Sequence, residues 1–206
     1  MILNYETALI RHALKNTRPP QEFGTYTGGS GIPQKFKPPA PWKPASVLVP
    51  VVIHPSETSV LMTRRTDGLL DHAGQVSFPG GSREAMDQDT VETALRETEE
   101  EIGLQRRYVE TIGFLEGCLT ITGFAVTPVV GLVIPEFRLS PDPQEVAEVF
   151  QVPLAYLRDP ANRQRRQRLV GDQLVEYYQF EHRGHVIWGA TARMLVDLID
   201  KLEHFT

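Results

Sequence analysis

Apolar positions recur along the chain with two different periods. Residues 47–53 and 59–64 are dense in aliphatic side chains, and His54-Pro55-Ser56-Glu57 marks a turn between them, so the two runs predict a β-hairpin. Residues 75–78 predict a third short strand that stops at Pro79. Residues 108–119, 125–134, 168–171 and 175–181 alternate or run apolar as further strands, with turns at Gly123, Gly171-Asp172 and Gly184. Helical spacing takes over elsewhere. Ile2, Leu3, Ala8, Leu9, Ile10, Ala13 and Leu14 form one stripe near the N-terminus, residues 143–150 predict a short helical piece, and residues 188–202 predict a last helix with Ala192, Leu195, Val196, Ile199 and Leu202 turned inward. Helices on both sides of a mixed sheet make an α/β class protein, an α/β/α sandwich.

The most informative helix covers residues 90–102. Asp89-Thr90-Val91-Glu92 reads as a capping box, in which Asp89 accepts from an orphan backbone N–H and Glu92 reaches back, while Gly103 is a natural left-handed stop. At about 100° per residue, Val91, Ala94, Leu95, Thr98 and Ile102 share one stripe, and Glu97, Glu100 and Glu101 crowd into another. Like charges at these spacings repel, and the C-terminal end of a helix dipole disfavours anions. Arg96 is placed to pair with Glu100, but one cation is too few for Glu97, Glu99, Glu100 and Glu101. A solvated acidic face is the ordinary alternative. The wrong-end placement points instead to a divalent cation, since Mg²⁺ takes one or two carboxylates together with phosphate oxygens of a substrate.

Composition narrows the setting. With 206 residues, 41% of them hydrophobic, the chain can bury one substantial core, with a helix and Pro/Gly-rich arm at residues 1–43 preceding a domain at 44–206. Such a helix and arm suit packing across a homodimer. A net charge of −5 supplies no global field for nucleic acid, so a polyanionic substrate must be met locally. No stretch is long and apolar enough to span a bilayer, and no basic-then-apolar leader opens the chain, which favours a cytoplasmic location. Cys118, the single cysteine, excludes an internal disulfide or thiolate zinc site and reads as a small buried residue. The run Gly28-Gly29-Ser30-Gly31 lacks the lysine and the flanking strand and helix of a phosphate loop.

The run Arg96-Glu97-Thr98-Glu99-Glu100-Glu101-Ile102-Gly103-Leu104, preceded by Gly81, resembles the signature of the Nudix hydrolases. Thr98 stands where an aliphatic residue is usual, and one extra residue between Gly81 and Arg96 leaves Asp87 or Gln88 nearest the place of the usual upstream glutamate. Members that cleave coenzyme A are similar in both the extra residue and the aspartate. They also carry a second motif, which Leu61-Met62-Thr63-Arg64-Arg65-Thr66 and Gly74-Gln75-Val76-Ser77-Phe78-Pro79-Gly80-Gly81 resemble, except that Leu70 replaces its arginine.

The resemblance implies a Nudix-type sandwich over roughly residues 44–202 and hydrolysis of a diphosphate bond with Mg²⁺ or Mn²⁺. It assigns metal to Glu97 and Glu101, with Glu100 joining as ligand or base, a contribution from Gly81, and Arg96 completing the catalytic set. Gly80, Gly81, Arg64 and Arg65 are the expected substrate contacts, with Arg65 equally placed for a salt bridge, and Glu145 or Glu148 remains an alternative base. The substrate expected is a small-molecule nucleotide, coenzyme A, split into 4′-phosphopantetheine and adenosine 3′,5′-bisphosphate. Another nucleoside diphosphate compound such as ADP-ribose or a dinucleotide is the second reading, and a catalytically silent ligand sensor the third. His72 reads as a hydrogen-bonded surface residue or proton shuttle. Arg163, Arg165, Arg166 and Arg168 read as solvated loop charge or a phosphate grip. Tyr177, Tyr178 and Trp188 offer stacking surfaces, although alternation puts one tyrosine and the tryptophan in the core.

Overall fold

The computed structural model describes residues 5–24, 38, 40–68, 72–170 and 172–204. Ile2, Leu3, the Gly28–Gly31 run, most of the proline-rich arm, Leu70 and Gly171 lie outside the described residues. In chain order the elements are α1 (Tyr5–Leu14), β1 (Phe23–Gly24), β2 (Lys43–Ile53), β3 (Thr58–Arg65), β4 (Val76–Ser77), β5 (Gly80–Ser82), α2 (Thr90–Ile102), β6 (Val109–Phe114), β7 (Gly117–Leu119) and β8 (Phe124–Val133). They continue with β9 (Val146–Pro153), α3 (Leu154–Arg158), β10 (Gln164–Val170), β11 (Gln173–His182), β12 (His185–Trp188) and α4 (Gly189–Glu203).

β2 and β8 form the centre of a mixed sheet, running parallel over ten residue pairs from Lys43↔Phe124 to Val52↔Val133. β3 returns antiparallel to β2 as the predicted hairpin and pairs on its other side with β9. The central strands are nearly continuous apolar runs because both of their faces are covered. Leu48, Val52, Leu61, Val129 and Val133 pack with Ala94 and Ile102 of α2. Their neighbours Val49, Val51, Val60, Met62 and Val130 face the opposite layer, with Leu195 and Ile199 of α4 and Ile10 and Leu14 of α1. The result is a helix-sheet-helix sandwich. A second, antiparallel sheet of β10, β11 and β12 joins the α4 side through Phe180 and Ile187.

Several expectations are corrected. Residues 143–150 do not form a helix: from Val146 the chain is strand β9. The cause is a bulge, since Arg64 pairs with Glu148 but Arg65 pairs with Val146, leaving one extra residue on β9. The bulge puts Val146 and Val149 on the same face, a spacing of three that imitates a helix. Residues 108–119 break at Glu116 into β6 and β7, because the Glu116 N–H turns to the buried Asp197 of α4 at 2.8 Å. Trp188 ends strand β12 and the helix starts after it. The arginine cluster lies mostly on strand β10, not in a loop before one. In α1, Ala8 faces solvent while Thr7, Leu9, Ile10, Ala13 and Leu14 are buried within this chain's own core.

Candidate active site

The glycine pair and the glutamate helix form one unit. β5 lies antiparallel on β2 in the register Val47↔Gly80 and Ser46↔Gly81, which holds the pair beneath α2. Asp89 caps α2 by accepting from the Val91 and Glu92 N–H groups at 2.9 Å, and Gly103 ends it with φ 70°. Glu92 does not reach back to the cap; it accepts from Arg106, which also binds Glu99. Glu99, one of the apparently uncompensated acids on this helix, is therefore neutralised from outside it, together with Glu92.

Glu97 and Glu101 lie closer to the sheet, with only the shared Arg96 at 3.0 Å from Glu97 and Arg65 at 3.8 Å from Glu101. A Cβ on Gly81 would collide with the Glu97 carboxylate, so the glycine is what allows that carboxylate to lie against β5. The Gly80 N–H donates to Glu101 Oε2 at 3.1 Å, and Gly80 takes a φ of 151° with Ser46 and Val47 pressed against it. Glu101 is 6% exposed, and burial pushes its carboxyl up to about 7 against the pull of the Gly80 N–H and Arg65; Glu145 and Glu97 push the same way as burial. Burial also raises Glu97, opposed by Arg96 and reinforced by Glu100 and Glu145.

Arg96 is a hub of the site. Its Nε and Nη2 donate to the two oxygens of Asp87 at 2.9 and 3.1 Å, Nη2 also reaches Glu97 at 3.0 Å and the Ser82 carbonyl at 3.0 Å, and Nη1 donates to Glu100 at 2.8 Å. Asp87 is buried and further accepts from the Thr93 hydroxyl and the Glu84 N–H. The Arg96 guanidinium holds its carboxyl far below the usual range. Arg96 thus orients Glu97, and Asp87 fixes Arg96. The role of Asp87 was not assigned from the sequence, although the displaced acid of the signature was the signal for it.

The third carboxylate comes from another segment. The Ser140 N–H donates to the Ile102 carbonyl and the Asp142 N–H to the Glu101 carbonyl, both at 2.9 Å, so the loop before β9 is pinned to the end of α2. The Thr66 N–H then holds the Glu145 carbonyl at 3.0 Å. This brings the Glu145 charge to bear on Glu97 and Glu101 together. Glu148 points elsewhere, toward Arg64 at 3.8 Å and His185 at 3.5 Å. Glu100 is exposed and committed to Arg96. Among the described residues no three acidic, histidine or thiol groups converge as a ready-made metal cage. A half-buried and a buried carboxylate, served only by the shared Arg96 at 3.0 Å from Glu97 and by Arg65 at 3.8 Å from Glu101, suit a hard divalent ion that completes its shell with water and phosphate oxygens.

A cleft of about 430 Å³ is lined by Arg65 and Gly80, the two residues that contact the Glu101 carboxylate. Its wall includes Arg65, Gln75, Val76, Phe78, Gly80, Cys118, Leu119, Ile121, Arg168 and Trp188. Arg65 stands 3.8 Å from Glu101, and its buried Nε has no hydrogen-bond partner among the described residues. Arg64 does not line this cleft and is paired with Asp67 and Glu148. His72 does line it, with φ 58° and Nδ1 bonded to Gln75 at 2.9 Å. Trp188 faces the cleft and not the core, whereas Tyr178 is buried as expected. A smaller cavity of about 310 Å³ lies near Glu57, Phe150 and Arg183; neither cavity is lined by the three carboxylates themselves, but only the larger includes Arg65 and Gly80, which contact Glu101.

Residues 43–171 match the NUDIX domain family. An uncharacterized Nudix hydrolase NudL of Pectobacterium atrosepticum is 38% identical over 175 residues, covering 81% of this chain and 86% of the relative. The NudL of Klebsiella pneumoniae is 39% identical over 159 residues, covering 75% and 80%. A crystal structure of a MutT/nudix family protein from Enterococcus faecalis has a TM-score of 0.51 at 15% identity, covering 85% of this chain and 66% of that one, which bears on the fold alone. Glycine pair, capped glutamate helix and mixed sheet thus coincide with a match over most of the sequence, and the chain belongs to the Nudix hydrolases, metal-dependent enzymes that cleave the pyrophosphate bond of small nucleoside diphosphate-linked substrates.

Proposed function

We propose that this protein hydrolyses the diphosphate bond of coenzyme A, yielding 4′-phosphopantetheine and adenosine 3′,5′-bisphosphate. One observation carries the reading: the segment that resembles the second motif of coenzyme A-cleaving members supplies Arg65, Gln75, Val76, Ser77, Phe78 and Gly80 to the cleft wall beside Glu101. A motif outside the glutamate signature that lines the cleft is positioned to read substrate. The apolar part of the wall, with Leu119, Ile121 and Ala190, suits a pantetheine arm, and the volume suits a ligand of this class.

In the proposed mechanism Glu97 and Glu101 would hold Mg²⁺ or Mn²⁺, with Gly81 beside them. A divalent ion there offsets phosphate charge and makes bound water easier to deprotonate. The Gly80 N–H keeps Glu101 oriented, and the Asp87–Arg96 pair keeps Glu97 oriented. Arg65 lies where the diphosphate must pass and supplies donors to its oxygens. Water attacks one phosphorus in line, its proton passes to a carboxylate, and the bond from that phosphorus to the bridging oxygen breaks, so that the other phosphate leaves. Glu145 is the carboxylate best suited as base, because its charge reaches both Glu97 and Glu101; Glu100 is engaged by Arg96.

The test is a panel of coenzyme A, dephospho-coenzyme A, ADP-ribose and dinucleoside polyphosphates, with products identified by mass. Coenzyme A should give the highest kcat/KM in the presence of Mg²⁺ or Mn²⁺. Equal turnover of the whole panel would leave a general nucleoside diphosphate hydrolase, and no turnover of any member would favour a ligand sensor.

A further inference from the structure

The cleft carries two arginines of unlike circumstance. Arg65 belongs to the carboxylate end, 3.8 Å from Glu101. Arg168 reaches the same cleft from the second sheet, on β10, and its guanidinium lies 5.2 Å from the centre of the Trp188 ring. Its neighbours in the arginine cluster are otherwise engaged. Arg163 is bound to Asp200 at 2.8 Å, Arg166 faces Glu181 at 3.9 Å, and Arg165 lies over Tyr178. Among the described residues no carboxylate pairs with Arg168, and the cleft wall contains no aspartate or glutamate at all. In a chain of net charge −5, an arginine held over an indole in an acid-free cleft is a cation set aside.

Chemistry specifies what it is set aside for. A tryptophan beneath a guanidinium fixes the plane of the guanidinium and leaves its edge donors pointing away from the ring. That edge matches a phosphate monoester, which presents oxygens to a two-pronged donor and carries nearly two negative charges at neutral pH. The tryptophan is itself held, its ring meeting Tyr177 edge-on at 5.9 Å, and it immediately precedes α4, whose first residues Gly189, Ala190 and Thr191 line the same cleft.

We propose that Arg168, seated on Trp188, is a specificity-determining residue: it binds a phosphate monoester of the substrate that lies apart from the scissile diphosphate. This rests on the coenzyme A reading, in which that group is the 3′-phosphate of the ribose. Arg168 stands on strand β10 of the second sheet, whereas Glu97 and Glu101 are carried by helix α2, so it discriminates among substrates without entering the hydrolytic step.

The test compares wild type, Arg168→Gln and Arg168→Lys, each checked for folding by circular dichroism and melting. Kinetics are measured on coenzyme A and on dephospho-coenzyme A, which differ only in that phosphate. Wild type should favour coenzyme A through a lower KM. Arg168→Gln should lose roughly tenfold or more in kcat/KM on coenzyme A, mostly in KM, and far less on dephospho-coenzyme A, with Arg168→Lys in between. A second arm uses whichever nucleoside diphosphate the enzyme turns over. Adenosine 3′,5′-bisphosphate should inhibit more strongly than AMP in wild type and no more strongly in Arg168→Gln. Unchanged inhibition and selectivity ratios in Arg168→Gln, or equal losses on both substrates, would overturn the proposal. Retained selectivity for the bisphosphate without coenzyme A turnover would support the subsite and overturn the coenzyme A reading instead.

Discussion

Asp87 and Arg96 are joined by two hydrogen bonds of 2.9 and 3.1 Å across the turn that leads into the glutamate helix. The pair is mostly withdrawn from solvent, and Arg96 in turn orients Glu97. Its geometry makes the helix and the preceding turn a single rigid piece. Removing Asp87 leaves the Thr93 hydroxyl and the Glu84 N–H without that acceptor and Arg96 with the glutamates and the Ser82 carbonyl alone. Asp87→Ala is expected to lower stability by about 1–3 kcal/mol, read from denaturant unfolding, and to reduce activity through misplacement of Glu97. Asp87→Glu, which keeps the charge but lengthens the reach, should recover part of the stability. An unfolding midpoint unchanged in Asp87→Ala would show that the pair has no orienting role.

Gly80 and Gly81 should respond differently to the same substitution. A Cβ at Gly81 meets only the end of the Glu97 side chain, which can swing away. Gly81→Ala is therefore expected to cost less than about 1 kcal/mol of stability while sharply weakening metal-dependent activity. A Cβ at Gly80 meets the backbone of Ser46 and Val47, and the φ of 151° is strained for any side chain. Gly80→Ala should cost more, about 1–3 kcal/mol. Melting and turnover of the two variants side by side check the contrast.

The parts of this site that were legible in the sequence are those fixed by local chemistry. The cap at Asp89, the stop at Gly103 and the glutamate face of α2 all follow from spacing within one helix. What was not legible depends on pairing between distant strands. β9 looked helical because its bulge gives Val146 and Val149 a spacing of three, and only the register with β3 exposes the extra residue. Arg106 could not be matched to Glu92 and Glu99 before the turn after α2 was known. The separation of Arg168 from the rest of its cluster likewise depends on the cross-strand pair Arg168↔Val175 and on Trp188 arriving from β12.

The buried acids give the metal-free protein a pH dependence of known sign. Glu101 has its folded value raised from 4.5 to about 7. The folded state therefore holds a proton more tightly than the unfolded chain. This contribution to stability is fully present below about 4.5 and is lost as pH rises through about 7, an effect on the order of 3 kcal/mol. Asp87 acts in the opposite sense: its lowered value contributes stability above about 3.8 that is lost only in strong acid. In chelator, the melting temperature should fall between pH 5 and 8 more steeply in wild type than in Glu101→Gln, which retains the shape of the neutral acid. Saturating Mg²⁺ or Mn²⁺ should reverse the trend in wild type, since the ion favours the charged carboxylates. Glu101→Gln should be folded and nearly inactive. Parallel melting curves of the two proteins across this range would rule out the buried acid as their source.

The choice between Glu100 and Glu145 as base can be decided by kinetics because their surroundings differ. Glu100 is exposed, and its carboxylate accepts from Arg96 at 2.8 Å, so a glutamine there keeps an acceptor for the same guanidinium. Glu145 is carried by a loop that the Asp142 N–H fastens to the Glu101 carbonyl, and its charge reaches the half-buried Glu97 and the buried Glu101. A base acts mainly in the transition state, so its loss lowers kcat with little change in KM. Glu145→Gln is expected to reduce kcat by about 10²–10⁴-fold with KM nearly unchanged, and to remove the acidic limb of the kcat–pH profile. Glu100→Gln should cost less than about tenfold and leave that limb in place. If Glu100→Gln instead removes the limb while Glu145→Gln remains active, the proton passes to the signature helix, and the role of Glu145 is confined to holding the field around Glu97 and Glu101.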